Sequence, residues 1–396
     1  MKINEKRFLE NFRTQGRIGW RDGEGMFRAG FGEKFREVRA FMQKSMEEAG
    51  IPTRVDTLGN LFGLVEGENK NAILLSGSHL DSVTAGGKYD GALGAFAALE
   101  AALTLKESGY PLKHSFEVVG FNSEEGSELG GSFGSRGFCG MIDTCPPQQA
   151  MEQAGITWAD IEQAKAPLDR YAGFVELHIE QGPVLDRKHI SVGVPTAIFG
   201  ITRYRCVVRG KSDHAGTTPM LERHDALYET MKAASAWMEQ MRGEEGIVCN
   251  IGDIQVEPGH ICVVPAKCEF VVELRSIRQE DIDRAVSRLR EKLEQMETCT
   301  GELTPMIVKE AVCLDESLVD LIYHNACKVD PAAIKMVSGA SHDASPLSHF
   351  MPAGMIFVPS ADGISHAKEE FTKDSDLILG TQLLLDTILA LDTALA

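Results

Sequence analysis

A buried strand, an Ala-rich helix and a second buried strand follow one another between Ala72 and Asn122, and this rhythm restricts the possible folds more than any other feature. Ala72–Gly77 is a short apolar run with turn residues beyond it, as expected of a strand covered on both faces. Gly91–Ser108 carries an Ala/Leu-rich helical pattern after Gly86 and Gly87, and Ser115–Asn122 reads as another buried strand. Such alternation predicts an α/β fold in which helices cover a sheet and ligands bind at loops beyond the strand ends.

Between about Ile198 and Val312 the pattern changes. Strands over Ile201–Val208, Ile247–Val256, Ala266–Ile277 and Glu302–Val312 alternate with helices over Asp225–Arg242 and Glu280–Met296. Strand, helix, two strands, helix and strand is the order of a ferredoxin-like βαββαβ domain. After it, α/β patterning resumes with Ser317–Val329 and Met355–Val358. The expected architecture is therefore two domains: a larger α/β domain with a mixed sheet and helices on both faces, formed by 1–197 and 313–396, and a smaller one inserted at 198–312. A length of 396 residues suits it, since domains average roughly 100–200 residues.

Charge narrows the partners. Forty Lys and Arg against 58 Asp and Glu give a formal net charge of -18, which repels phosphate backbones and anionic lipid. Neither nucleic acid nor a membrane is expected as a partner. Met1–Trp20 mixes charges without an apolar stretch, so no leader is expected. Leu377–Ala396 is strongly apolar but carries Asp386 and Asp392 at helical intervals, which favours an amphipathic packing helix over a span. Nine cysteines without a Cys-x-x-Cys pair suggest neither a disulfide framework nor a thiolate zinc site, consistent with a cytoplasmic protein.

Four segments carry chemistry, all at loops or strand ends. The first is Ser78-His79-Leu80-Asp81 with Asp90 beyond a Gly-rich loop; alternation puts His79 and Asp81 on one side of the chain, where a carboxylate can orient an imidazole toward a metal. Asp90 alone would read equally well as a helix N-cap. The second is Glu124-Glu125-Gly126, adjacent carboxylates that would repel each other in a solvated turn but can divide ligation and proton transfer beside a cation. In the third, alternation places Glu176, His178 and Glu180 on one face. A lone strand histidine usually serves packing, yet a polar stripe among buried neighbours needs a polar purpose. The fourth is Ile364-Ser365-His366. As a set, these histidines and carboxylates are the inventory of a two-metal hydrolytic site.

Their order and local spacing resemble the peptidase M20 superfamily of dinuclear metallohydrolases, and within it the hydantoinase/carbamoylase branch of N-carbamoyl-L-amino acid hydrolases and allantoate amidohydrolases. The resemblance rests on Gly77–Asp81 with Tyr89–Gly91, Glu124–Gly126, Glu176–Pro183, His214–Met220, Ser338–Ala340 with His342–Ala344, and Gly363–His366, and so spans nearly the whole chain.

That resemblance implies that His79 and His178 bind one metal, Glu125 and His366 the other, and Asp90 bridges both. Two divalent ions per subunit are implied, zinc foremost, with manganese, cobalt or nickel as alternatives for such mixed ligands. Asp81 would orient His79, a metal-bound water would be the nucleophile, and Glu124 would be the general base, moving its proton to the leaving nitrogen. The larger domain becomes the catalytic, dinuclear metal-binding domain, and the inserted one a lid and dimerisation domain. His214, a loop histidine without the resemblance, would help bind the developing oxyanion across a homodimer interface. Arg275, otherwise a surface partner of Glu273, would hold a substrate carboxylate. Gln181, His342 and His260 are further substrate-side candidates. The implied substrate is a small carboxylate-bearing ureido or amide compound, an N-carbamoyl-L-amino acid or allantoate, with dipeptides and acylated amino acids behind them.

One departure bears on the substrate. Cys262 stands where the branch leads one to expect Asn, and a thiol lacks the amide's paired donor and acceptor. The stretch from Glu125 to His178 is also short for the branch.

Two competing motifs fare worse. Gly130-Gly131-Ser132-Phe133-Gly134 matches Gly-x-Ser-x-Gly, but the preceding strand ends about ten residues too early for a nucleophile elbow, so Ser132→Ala should leave activity intact. Gly210-Lys211-Ser212 would need an upstream glycine where Arg205 stands. A non-enzymatic metal-binding scaffold would be favoured by a missing base or bridging ligand, and neither is missing.

Overall fold

The computed structural model describes residues 1–395. The chain divides into two compact units, Met1–Ile198 with Cys313–Ala396, and Phe199–Val312.

The larger unit is built on a nine-stranded mixed sheet. Four of its strands run parallel side by side: Ala353–Val358, Tyr171–Ile179, Asn69–His79 and His114–Phe121. Their registers pair His79 with Phe121 and Val358 with Ile179, so the strands finish together. The loops that follow therefore leave from one end of the sheet, although they lie up to 280 residues apart in sequence. Leu61–Val65 extends the sheet antiparallel to His114–Phe121.

The helix Ala92–Ser108 packs on three of these strands. Its sequence is almost free of β-branched residues, and it is buried all round, as an apolar core helix should be. It ends at Gly109 in the left-handed conformation.

The helix Asp374–Ala394 packs on Ala92–Ser108 and on Glu316–Val329. It is long and apolar enough to cross a membrane, but 56% of its most apolar window is buried inside the protein. Asp392 does not mark a solvated face. It is buried and accepts hydrogen bonds from the Lys113 and His114 amides (3.1 and 2.7 Å) and lies 3.0 Å from His114 Nδ1. The expected amphipathic face is thus interrupted by an internal carboxylate that anchors the start of His114–Phe121.

The smaller unit is a four-stranded antiparallel sheet in the order Ile247–Glu257, Lys267–Ser276, Gly200–Arg209, Thr300–Lys309, with helices Ala226–Met241 and Gln279–Glu294. Lys267–Ser276 alternates strictly. Cys268, Phe270, Val272 and Leu274 enter a core shared with Trp237 and Leu289, while Glu269, Glu273 and Arg275 lie on the opposite face.

Candidate metal centre and active site

Asp90 is the hub. Its Oδ1 lies 3.4 Å from His79 Nε2 and 3.1 Å from His178 Nε2, and its Oδ2 lies 3.0 Å from His366 Nε2. Glu125 Oε1 is 3.7 Å from the same His366 nitrogen. Two donor groups result, His79 with Asp90 and His178, and Asp90 with Glu125 and His366, each with ligand atoms within 4.8 Å of one another. The N-cap reading of Asp90 does not hold. The helix starts at Ala92 with Gly91 as its N-cap and no side-chain cap, which leaves the carboxylate to the histidines.

Local backbone makes room for this cluster. Gly91 has φ +62°, and a Cβ there would sit 2.3 Å from the His79 ring, so glycine is required on both counts. Ser123, Gln181 and His366 also take positive φ (58°, 57° and 56°), a concentration of strained non-glycine residues of the kind found at functional sites.

Hydrogen bonds set the imidazole tautomers. His79 Nδ1 lies 3.1 Å from the Asp81 carbonyl oxygen and His178 Nδ1 2.9 Å from that of Ile179. A carbonyl can only accept, so both rings carry N–H on Nδ1 and turn Nε2 toward Asp90, where it donates to the carboxylate when protonated and can bind a cation once the proton is lost. The expected orientation of His79 by Asp81 is thus made by the carbonyl, since the carboxylate is 3.7 Å from Nδ1. The Asp81 carboxylate acts elsewhere. Its two oxygens accept the Glu124 and Glu125 amides at 3.0 and 3.1 Å, fixing the turn that carries both glutamates.

Electrostatics follow from burial and crowding. Burial alone would raise Asp90, but hydrogen bonds from His178, His366 and His79 hold it well below the usual carboxylate range. His366 is lifted to about 9, first by its bond to Asp90. Burial and the Asp90 charge push Glu125 up to about 8, and burial brings Asp81 to about 6. Glu125 Oε1 is buried with no hydrogen-bond partner among the described residues. A crowded carboxylate that repels its neighbours, an orphaned oxygen and three converging imidazole nitrogens fit divalent cations, which would neutralise the excess negative charge and satisfy that oxygen. With its side chain half exposed, His366 is the open side of the cluster.

Other sequence candidates take varied places. Gln181 donates from Nε2 to Asp90 Oδ2 at 2.8 Å, and its Oε1 is buried without a partner among the described residues, which puts it beside the hub. His342 is buried behind His178, its ring edge-on at 4.5 Å and its Nε2 2.7 Å from Ser338 Oγ. That position supports the His178 ring and gives no open face to a substrate. Glu176 accepts from Ser78 Oγ and the Ala344 amide, and Glu180 caps Val184–Lys188 through the Val184 and Leu185 amides, so the polar stripe of this strand is largely structural.

In the smaller unit, His214 is exposed and its Nδ1 accepts the Gly216 and Thr217 amides. A bridge between His214 and Val263 brings its loop against His260 and Cys262: the Ala215 amide donates to Cys262 O, and the Cys262 amide to His260 Nδ1. Arg275 makes the ion pair expected of a surface residue, with Nη2 and Nε 2.7 and 2.8 Å from Glu273 Oε1. Arg203 holds the other Glu273 oxygen.

Two supports escaped the sequence reading. Glu370 is buried and accepts the Tyr89 and Asp90 amides and Ser365 Oγ, tying the Asp90 and His366 loops together. A Cβ at Gly87 would lie 2.0 Å from its carboxylate. Its short spacing from His366 was the only signal available. Arg28, buried against the Leu80 carbonyl, loses basicity to about 10 through burial and sets a positive charge near Asp81. Beside Glu125 opens a cavity of about 510 Å³ whose lining includes Phe31, Ser82, Thr84, Glu128 and Gln153.

Residues 75–390 match peptidase family M20/M25/M40. The chain is 33% identical to the N-carbamoyl-L-amino acid amidohydrolase of Geobacillus stearothermophilus, with 96% of this chain and 97% of that one covered. It is also 33% identical to the allantoate amidohydrolase of Escherichia coli K12, over 91% of each. Among solved structures, a hydantoinase/carbamoylase family amidase from Burkholderia multivorans superposes with a TM-score of 0.87 at 27% identity, covering 98% of both chains. This chain belongs to the M20 peptidase family, in its hydantoinase/carbamoylase branch. It is accordingly an enzyme, an amidohydrolase acting on C–N bonds.

Proposed function

We propose that this enzyme hydrolyses the ureido C–N bond of a small carboxylate-bearing compound of the N-carbamoyl-L-amino acid type, with allantoate as the runner-up. The observation that carries this is Asp90, whose two oxygens face two separate donor groups, as a bridging carboxylate must. His79 and His178 would hold one cation, Glu125 and His366 the other. Bound there, divalent cations would polarise the ureido carbonyl and acidify water, which such a poor electrophile needs. Zinc is the first choice for this ligand set, with manganese, cobalt or nickel next.

Glu124 takes the proton of the attacking water and delivers it to the leaving nitrogen. Its backbone is fixed by Asp81, and its neighbour Glu125 ligates, so adjacent carboxylates divide the work. Gln181 orients Asp90 and presents its free oxygen to the substrate amide. The smaller unit acts as a ferredoxin-like lid and dimerisation domain; its strand order and its exposed Leu221 and Ile261 support this. In it Arg275 binds the substrate carboxylate, and His214 the developing oxyanion, with His260 beside it in the turn that carries Cys262. His342 steadies His178.

The test is a panel of N-carbamoyl-L-amino acids, allantoate, N-carbamoyl-β-alanine and dipeptides, assayed for ammonia or free amine. Turnover of the ureido acids far above the dipeptides supports the proposal. Preference for dipeptides would return the enzyme to ordinary peptidase chemistry.

A further inference from the structure

Ser132, set aside as a nucleophile, has a placement that asks for another explanation. It is 1% exposed, and its backbone sits at φ +51°, ψ +37°. A non-glycine residue held left-handed costs free energy unless the surroundings impose it. Here they do: the Ser132, Phe133 and Gly134 amides donate to the carbonyls of Glu124, Ser123 and Asn122 at 2.7, 2.9 and 2.9 Å, folding the loop back onto the strand end.

Ser132 also occupies the N-cap position of Phe133–Phe138, where a serine hydroxyl ordinarily accepts a helix amide. It makes no such bond. The hydroxyl instead donates to Glu124 Oε1 at 2.9 Å. A hydrogen bond to a carboxylate exceeds a neutral cap bond in strength, so the diversion is favourable. It also fixes the rotation of the Glu124 carboxylate, which the Asp81 bond to the backbone amide leaves undetermined.

We propose that Ser132 is the positioning residue for Glu124, its hydroxyl holding Oε1 so that the other oxygen faces the water whose proton Glu124 takes. The inference rests on the assignment of Glu124 as base. It also revises the sequence expectation, because Ser132→Ala should now lower the rate without abolishing it.

The experiment uses the metal-loaded enzyme, with kcat, KM and bound metal measured on the ureido acid that the panel finds best. Ser132→Ala and Ser132→Gly both remove the donor, and the glycine suits the left-handed backbone, which guards against failure to fold. Both should lower kcat about 10- to 100-fold, the usual cost of a slightly misplaced catalytic group, with KM and metal content unchanged. In a Glu124→Gln background, adding Ser132→Gly should cost almost nothing more, because the group being positioned is already gone.

Wild-type kcat in Ser132→Gly, alongside a disabled Glu124→Gln, sinks this inference alone. So does a full additional loss in the double variant, or a loss in Ser132→Gly greater than in Glu124→Gln, which would make the serine a reacting group. Full turnover by Glu124→Gln sinks the assignment of the base itself, and this inference with it.

Discussion

The two units hold their functional candidates in opposite ways. In the larger unit, His79, Asp90 and His178 are buried, and Asp90 is engaged by side chains from three other segments of the chain, that of His79 nearby and those of His178 with Gln181 and of His366 far away in sequence. In the smaller unit, His214 and His260 are exposed and bond to amides two or three residues away, and Arg275 pairs with Glu273 on its own strand. The first set is assembled by folding whether or not substrate is present. The second set makes local bonds, and on the proposed reading its work begins when substrate binds. Changes in the larger unit should therefore strike the rate and metal content, whereas in the smaller one changes at Arg275 should strike substrate binding and changes at His214 the rate without loss of metal.

Removing divalent ions with a chelator should abolish turnover, and add-back should restore it; activity in the metal-free protein, checked by elemental analysis, would end the metal assignment. Uptake has a sign that can be checked. With His366 raised to about 9 and Glu125 to about 8, the metal-free cluster holds protons at neutral pH that a cation must displace. Affinity measured by calorimetry should therefore strengthen as pH rises from about 6 to 9, with proton release on binding.

Next in size, Glu124→Gln should keep both ions while lowering kcat by roughly 10²–10⁴, the usual worth of a general base. Arg275→Ala should raise KM about 10- to 100-fold with metal content unchanged, since a hydrogen bond to a charged group contributes roughly 1.5–3 kcal/mol. An unchanged KM would remove Arg275 from the site and narrow the contrast between the units. The smallest effect is structural. Asp392→Asn weakens the buried acceptor of two amides and His114, and should cost about 1–3 kcal/mol by denaturant titration while leaving kcat untouched.

The site was legible in the sequence to the extent that its groups lie at strand ends. Short runs such as Ala72–Gly77 identify buried strands, and alternation then tells which of His79, Asp81, Glu176 and His178 share a side. Alternation could not tell which atom of Asp81 meets His79, nor that its carboxylate reaches 43 residues on to the Glu124 amide. Glu370, and the bond from Ser132 to Glu124, escaped for the same reason. Their meaning lies in contacts to Asp90 and Glu124, and the hydroxyl of a loop serine has no sequence period. Helical spacing puts Asp392 on a solvated face because it gives an angle around the axis but not the polar groups that wait on the inner side.

The opening strand, helix and strand were enough to determine a mixed α/β protein, because burial and periodicity are local properties of a chain. They also placed the histidines and carboxylates at loops. Only the tertiary structure decided that four parallel strands end in register, that Asp90 faces two donor groups instead of capping a helix, and that Ser132 turns to Glu124. These depend on distances between segments that are remote in sequence, and such distances are fixed by packing.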